Sequence, residues 1–314
     1  MGAILTITFP IFALIGIGYG AARAGLFTAA DMKVLGRYVL NIALPALLFN
    51  AVATRDLGEV LNLGYLTVFA LGGLLTIGVT WVWFTVQSTG PARRAIAVMG
   101  STCPNSGFVG YPVMLLVFPD LAGVVLALNM VVENFLLIPL SLMLLEASRD
   151  RQGKSLIRIA GRIILGVLRR PMVIGLMLGL LVMLSGLPLP QMVTRLMEVL
   201  AASSSAIALF VIGGSLVGLP IVGQRALAAQ IVLGKLLISP ALTASLLLML
   251  PLIGLPMLSG DMAVAVILST AMPMFGIYTL LAQDYGHEGL ASLALLGATA
   301  GAFFTLSTLL AILT

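Results

Sequence analysis

The 314-residue chain is 61% hydrophobic and only 9% charged, with a mean hydropathy of +1.18, whereas a soluble domain carries about a quarter charged residues. No soluble core could hide so much apolar surface, so the chain reads as an all-α polytopic membrane protein. Its one cysteine, Cys103, excludes an internal disulfide and a cysteine-based metal cluster.

A bilayer-crossing helix needs roughly 20 mostly apolar residues. Charges and turn residues divide the chain into ten such runs, expected at 3–22, 34–52, 63–86, 94–118, 120–147, 171–187, 191–217, 226–251, 259–283 and 290–313. The first run follows Met-Gly without a basic region or a small-residue cleavage motif, so it reads as a span and not a signal peptide. With the N-terminus outside, thirteen of the sixteen Lys and Arg fall on the inner side. Only Arg55 and Arg195 fall outside, and Lys235 lies within a span. The positive-inside rule thus places both termini on the outer side of a bacterial inner (plasma) membrane. It also accounts for the formal +5 without a nucleic acid partner.

Between the fifth and sixth runs, residues 148–170 form a basic linker. Arg151, Lys154, Arg158, Arg162 and Arg169 share one helical face, with Leu156, Ile159, Ile163 and Val167 spread around the other. Such a helix is expected to lie in the headgroup layer of the lipid bilayer. The linker separates two halves, 1–147 and 171–314, of five runs each. Because five is odd, the second half enters the membrane from the opposite side, giving two inverted five-helix repeats. A shift of 169 residues carries Pro104 onto Pro273 and Gly107 onto Gly276, so Pro-x-x-Gly recurs in helices 4 and 9. At 1.5 Å per residue, Pro104 lies about 15 Å beyond Arg94 and Pro273 about 18 Å beyond Asp261, both near mid-depth.

A proline inside a helix removes a hydrogen bond and clashes with the carbonyl four residues back. Pro45, Pro139 and Pro240 read as simple kinks. Residues 101–112 (STCPNSGFVGYP) instead pack two prolines, two glycines and short polar side chains into one span, and predict an interruption. Residues 269–276 (STAMPMFG) predict a second, less polar one. Crossed and interrupted helices 4 and 9 would bring open half-helix ends together at mid-depth, where N-terminal donors favour an anion. The candidate substrate-binding residues are therefore Cys103, Pro104, Asn105, Ser106 and Gly107 with Met272, Pro273, Met274, Phe275 and Gly276.

Two ionisable residues fall at the same depth, Lys235 about 15 Å past Arg225 and Glu133 about 20 Å from Asp120 and Glu146. Charges so placed are costly and mark function by default. Both are candidates for coupling or charge balance, the alternative being a static polar clasp with Asn129 or Asn134. Asn41, with Asn50 and Gln230, reads as an interhelical hydrogen-bond partner, and Ser203–Ser205 and the Gly175/Gly179 pair as close-packing surfaces. No metal or cofactor is expected. The lone His287 precedes Glu288 without completing a His-Glu-x-x-His motif, which argues against an enzyme.

Residues 105–112 (NSGFVGYP), 235–240 (KLLISP) and 280–286 (LLAQDYG) resemble the auxin efflux carrier family, whose bacterial members include malonate carriers and whose plant members are the PIN proteins. The resemblance spans essentially the whole chain. It implies ten helices, a scaffold of helices 1, 2, 6 and 7, a transport domain of helices 3–5 and 8–10 that moves by an elevator-like step, and a homodimer. It also implies that Asn105 and the backbone around Pro104 and Pro273 line the substrate site. Plant members carry asparagine on both sides of the first crossover proline, where this chain has Cys103, and their long cytoplasmic loop is here the short basic linker. Both departures favour a small carboxylate such as malonate over auxin. One charge crossing about 100 mV is worth about 2.3 kcal/mol, so importing a dianion requires cotransported cations, with Lys235 or Glu133 as the protonating group. The alternatives are a sodium-coupled symporter of the bile-acid type and a cation/proton antiporter, the latter wanting more mid-depth acidic groups than Glu133.

Overall fold

A computed structural model describes residues 2–53, 55, 62–87, 89–148, 156–186, 188–220, 224–249, 258 and 260–313. The described residues fold as helices, with no strand beyond one isolated bridge. In chain order these are α1 (Gly2–Arg23), α2 (Ala29–Ala53), α3 (Leu63–Val86), α4 (Pro91–Thr102), α5 (Ser106–Val117), α6 (Ala122–Ala147) and α7 (Leu156–Leu168). They continue with α8 (Pro171–Ser185), α9 (Gln191–Ser215), α10 (Arg225–Met249), α11 (Gly260–Ala271), α12 (Tyr278–Gln283) and α13 (Glu288–Leu313). Six of them, α2, α3, α6, α9, α10 and α13, are long and apolar enough to cross a membrane. A seventh candidate is the end of α7 joined to α8 through a 66° bend. The chain is therefore a polytopic, all-helical membrane protein. Each expected run contains a helix, and the expected runs 94–118 and 259–283 are each broken into two.

Helix boundaries follow local chemistry. Pro91 and Pro171 open α4 and α8, where a missing N–H costs nothing. Gly186 closes α8 at a φ of 63°, a left-handed conformation that glycine adopts without strain. Of the basic linker, residues 149–155 lie outside the described residues, and α7 begins at Leu156.

The three prolines expected to kink their helices do something more specific. Val39–Ala43, Glu133–Leu137 and Gly234–Ile238 are five-residue π-helical segments, each ending two residues before Pro45, Pro139 or Pro240. Ser106–Gly110 stands in the same register before Pro112. In the first three, the residue just before the proline donates its N–H five residues back, to Val39, Glu133 or Gly234. Widening the turn moves the carbonyl that the proline ring would strike, so the chain accommodates each ring without a break.

By internal contacts the chain divides into two compact units. Unit 1 comprises Met1–Asn62, Ser106–Met130 and Gly166–Gly218, and unit 2 comprises Leu63–Asn105, Val131–Leu165 and Leu219–Thr314. This differs from the division implied by the family resemblance, in which all of helices 4 and 5 go with the transport domain. The break at Cys103–Asn105 frees α5 to pack within unit 1, where Gly107 abuts Leu44 and Gly123 abuts Ala51.

Candidate functional site

The chemistry in unit 2 is built around two breaks. After Thr102 the chain runs extended through Cys103, Pro104 and Asn105; after Ala271 it bends at Met272 and runs on through Pro273, Met274 and Phe275. The two extended stretches pair: Pro104 and Met274 form an antiparallel bridge, and the Asn105 N–H donates to the Pro273 carbonyl at 2.9 Å. Backbone groups released from both helices thus satisfy one another, which is how unwound chain survives at membrane depth. Cys103, Met272 and Met274 are fully buried, and Asn105 and Phe275 nearly so. Of the remaining candidates in this unit, Gly276 is exposed and open on its Cα side.

Lys235 ties the two breaks together. Its side chain is fully buried, and Nζ donates to the carbonyl of Thr102 and to that of Thr270, each at 3.0 Å. Those carbonyls end the half-helices α4 and α11, where the helix dipole concentrates negative partial charge. A cation bound to both ends offsets both. These two hydrogen bonds of Lys235 therefore go to helix ends. Asn129 donates to Ser106 Oγ at 3.2 Å, inside unit 1. Glu133 and Asn134 are buried on the π segment of α6, and both have interactions of their own. Lys235 and Asn134 each stand five residues before a proline, Pro240 and Pro139, so the wide turns place both polar residues in equivalent positions.

Asn41 is exposed, and among the described residues its side chain bonds its own helix, Nδ2 donating to the Arg37 carbonyl at 2.7 Å. Ser106 and Gly107 open α5 in unit 1, both buried. The 169-residue shift pairs Pro104 with Pro273, whereas the backbone ladder pairs Pro104 with Met274, an offset of one residue.

Several residues around the breaks escaped sequence reasoning. Thr102 and Thr270 supply carbonyls, which carry no side-chain signal. Ser141 lies 3.4 Å from the Cys103 sulfur, and Tyr65 Oη lies 3.0 Å from Ser269 Oγ. Tyr278, the first residue of α12, is fully buried and donates to the Ile96 carbonyl of α4 at 3.1 Å. A Cβ on Gly100 would stand 2.5 Å from that tyrosine oxygen, so glycine is required there. The glycine beside a buried tyrosine was the one legible cue, and nothing in the sequence paired them.

The assembly of broken, mutually bonded helices around a buried cation suits a transporter, and comparison with known proteins agrees. The chain is 25% identical over 210 residues to the Escherichia coli (strain K12) protein named "Uncharacterized transporter YfdV", a match covering 65% of this chain and 66% of YfdV, just under two thirds of that protein's length. It is 26% identical over 253 residues to the Rhizobium meliloti (strain 1021) protein named "Putative malonate transporter", covering 77% of this chain and 76% of that one. It is 26% identical over 148 residues to rice "Auxin efflux carrier component 3a", covering 46% of this chain and 24% of the carrier. The family profile described as "Membrane transport protein" matches residues 3–310. The chain belongs to this membrane transport protein family, that of the auxin efflux carriers.

Proposed function

We propose that the protein is a secondary active transporter of small organic anions, carboxylates of about the size of malonate, working by an elevator-like alternating-access step. The observation that carries this reading is the paired break: two half-helices end side by side, and one buried lysine holds the terminal carbonyl of each. With the C-terminal partial charges neutralised, the broken backbone of unit 2 favours an anionic guest. The relative named as a malonate transporter, matching over 77% of this chain, supports a dicarboxylate. The helices found in all ten expected runs, and the bias of Lys and Arg to one side, support ten crossings in two inverted repeats with both termini outside a bacterial inner membrane. The separation into two contact units supports an elevator, and a homodimer is the assembly we assign to it.

Inward movement of a dianion against an interior-negative potential costs about 4.6 kcal/mol per 100 mV, so uptake needs cotransported cations. Glu133 and Lys235 are the groups assigned to proton coupling. Uptake of labelled malonate into proteoliposomes across a pH series tests this. Proton-driven, saturable uptake is expected, with the pH dependence lost in Glu133→Gln or Lys235→Ala. Uptake that follows sodium and ignores pH would instead make the protein a sodium symporter, and no saturable uptake of any small carboxylate would defeat the anion reading.

A further inference from the structure

Away from the breaks, unit 2 holds a cavity of about 460 Å³ where α4 and α10 begin, lined among others by Gln87, Thr89, Arg93, Gln224, Arg225 and Gln230. Its volume is that of a small-molecule site. We propose that it binds a phosphate group that carries, or neighbours, a hydroxyl. That chemistry is shared by the headgroup of phosphatidylglycerol and by a free phosphate ester.

Charge is the first support. No carboxylate lines the cavity, and neither Arg93 nor Arg225 forms an ion pair among the described residues. The adjacent Arg94 is occupied elsewhere, its guanidinium 4.1 Å over the Trp81 ring and bonded to Thr85 Oγ1 at 3.0 Å. Neighbouring positions on a helix point about 100° apart, so with Arg94 held on α3, Arg93 is left to the cavity. Two arginine forks match the geometry of a phosphate.

The backbone adds to this. Gly90 and Gln224 are the N-caps of α4 and α10, helices whose first turns lie at the cavity, and neither start is closed by a side-chain bond. The N-terminal turns of α4 and α10, which hold Arg93 and Arg225, therefore carry no side-chain cap.

The third observation selects among anions. Gln230 lines the cavity, and its Oε1 takes no hydrogen bond but is closed to solvent, so a ligand meets it only after the amide turns. Once turned, that acceptor calls for a donor on the ligand. A dicarboxylate or a sulfate has none at neutral pH, whereas a phosphate ester near its second pKa carries a P–OH, and a glycerol headgroup carries alcohols. The same cavity is therefore poorly matched to the carboxylates proposed for the breaks, and the assignment does not depend on that reading. In the proposed topology the cavity opens at the inner headgroup layer, where phosphate is the abundant anion.

The test uses the full chain in neutral detergent, with thermal stability and native mass spectrometry as readouts. The probes are glycerol 3-phosphate, mixed micelles of phosphatidylglycerol or of phosphatidylcholine, and sulfate. Saturable stabilisation by glycerol 3-phosphate would identify a free ester as the ligand, and stabilisation confined to phosphatidylglycerol would identify a lipid. In either case Arg93→Gln with Arg225→Gln should weaken binding at least tenfold, while Arg158→Gln with Arg162→Gln on α7 should not. Gln230→Leu keeps both arginines and should weaken the phosphate probe several-fold without improving sulfate. Failure of every phosphate probe to bind overturns the proposal. So does binding that the Arg93/Arg225 pair leaves unchanged, or sulfate binding as tightly as phosphate.

Discussion

Units 1 and 2 solve one problem by different means. Between helices in a bilayer there is little hydrophobic drive, because lipid tails are as apolar as leucine. Unit 1 answers chiefly with bare backbone, beside the Tyr38–Ser203 and Asn129–Ser106 side-chain bonds. Gly213 of α9 faces the backbone of Ile15 and Tyr19 in α1, and Gly18 of α1 faces the backbone of Phe210. Gly175 and Gly179 of α8 sit on the backbone of Pro45 and Phe49 in α2. Unit 2 answers with side-chain hydrogen bonds: Thr76 to Ser239, Tyr65 with Ser269, Cys103 with Ser141, Tyr285 to Glu146, and Lys235 to two carbonyls. The polar solution appears where helices are broken, because only polar groups can meet the backbone that a break releases. Unit 1, with intact helices through its glycine seams, can afford dispersion and close approach.

The largest effect should come from filling a seam. Any Cβ at residue 213 overlaps the Ile15 carbonyl, and backbone cannot step aside as a flexible side chain can. Gly213→Val should abolish recovery of monodisperse protein in size-exclusion chromatography. Gly16→Ala, on the same helix as Gly18 but with open space around its Cα, should leave the elution profile and melting temperature unchanged. If Gly213→Val behaves like Gly16→Ala, close backbone contact is not what holds unit 1.

Lys235→Met comes next. It leaves two buried carbonyls without their donor, each such group costing about 1–3 kcal/mol, so the variant should melt several degrees lower and transport at least a hundredfold more slowly. A structural role alone would lower stability in proportion to transport. Recovery of the melting temperature by a stabilising background without recovery of transport would separate the two.

Pro240→Ala sharpens the comparison further. Relieved of the ring, the wide turn before residue 240 can close to an ordinary α-turn, rotating Lys235 relative to the rest of α10. Transport should fall about tenfold with little change in melting temperature. An unchanged rate would mean that the π segment is incidental to where Lys235 points.

Much of this was legible from residues. The packing role of Gly175 and Gly179 followed from their spacing, and the interruptions followed from proline and glycine density at 101–112 and 269–276. Other features were not. A π turn before Pro45, Pro139 and Pro240 depends on how a helix yields to a ring, and composition says only that it must yield. Lys235 was legible as a costly mid-depth charge, but its partners are main-chain carbonyls, which every residue possesses. Asn41 looked like a partner for another helix because its type suits one; its exposure and its bond to Arg37 depend on which way α2 turns. The assignment of α5 to unit 1 turns on a three-residue extended stretch, below what any periodicity resolves.

The smallest expected effect lies at the edge of unit 2. His287 is partly buried beside Arg93, and both desolvation and the arginine charge hold its pKa below the usual 6.5. Near pH 7.5 the ring is neutral in folded and unfolded chains alike and contributes nothing. As pH falls through 6.5 the unfolded chain takes up a proton that the folded chain resists, so stability declines until the lower folded value is also passed. Because the ring keeps much of its solvent contact, the effect is about 1–2 °C in melting temperature. His287→Gln should match the native chain at pH 7.5 and melt higher than it at pH 5.5, and Arg93→Gln should recover part of that difference. A phosphate probe bound at Arg93 would offset the arginine charge and narrow the gap in the native chain. Identical melting curves for native and His287→Gln protein from pH 7.5 to 5.5 would show that neither burial nor the arginine charge holds the ring neutral at the edge of unit 2.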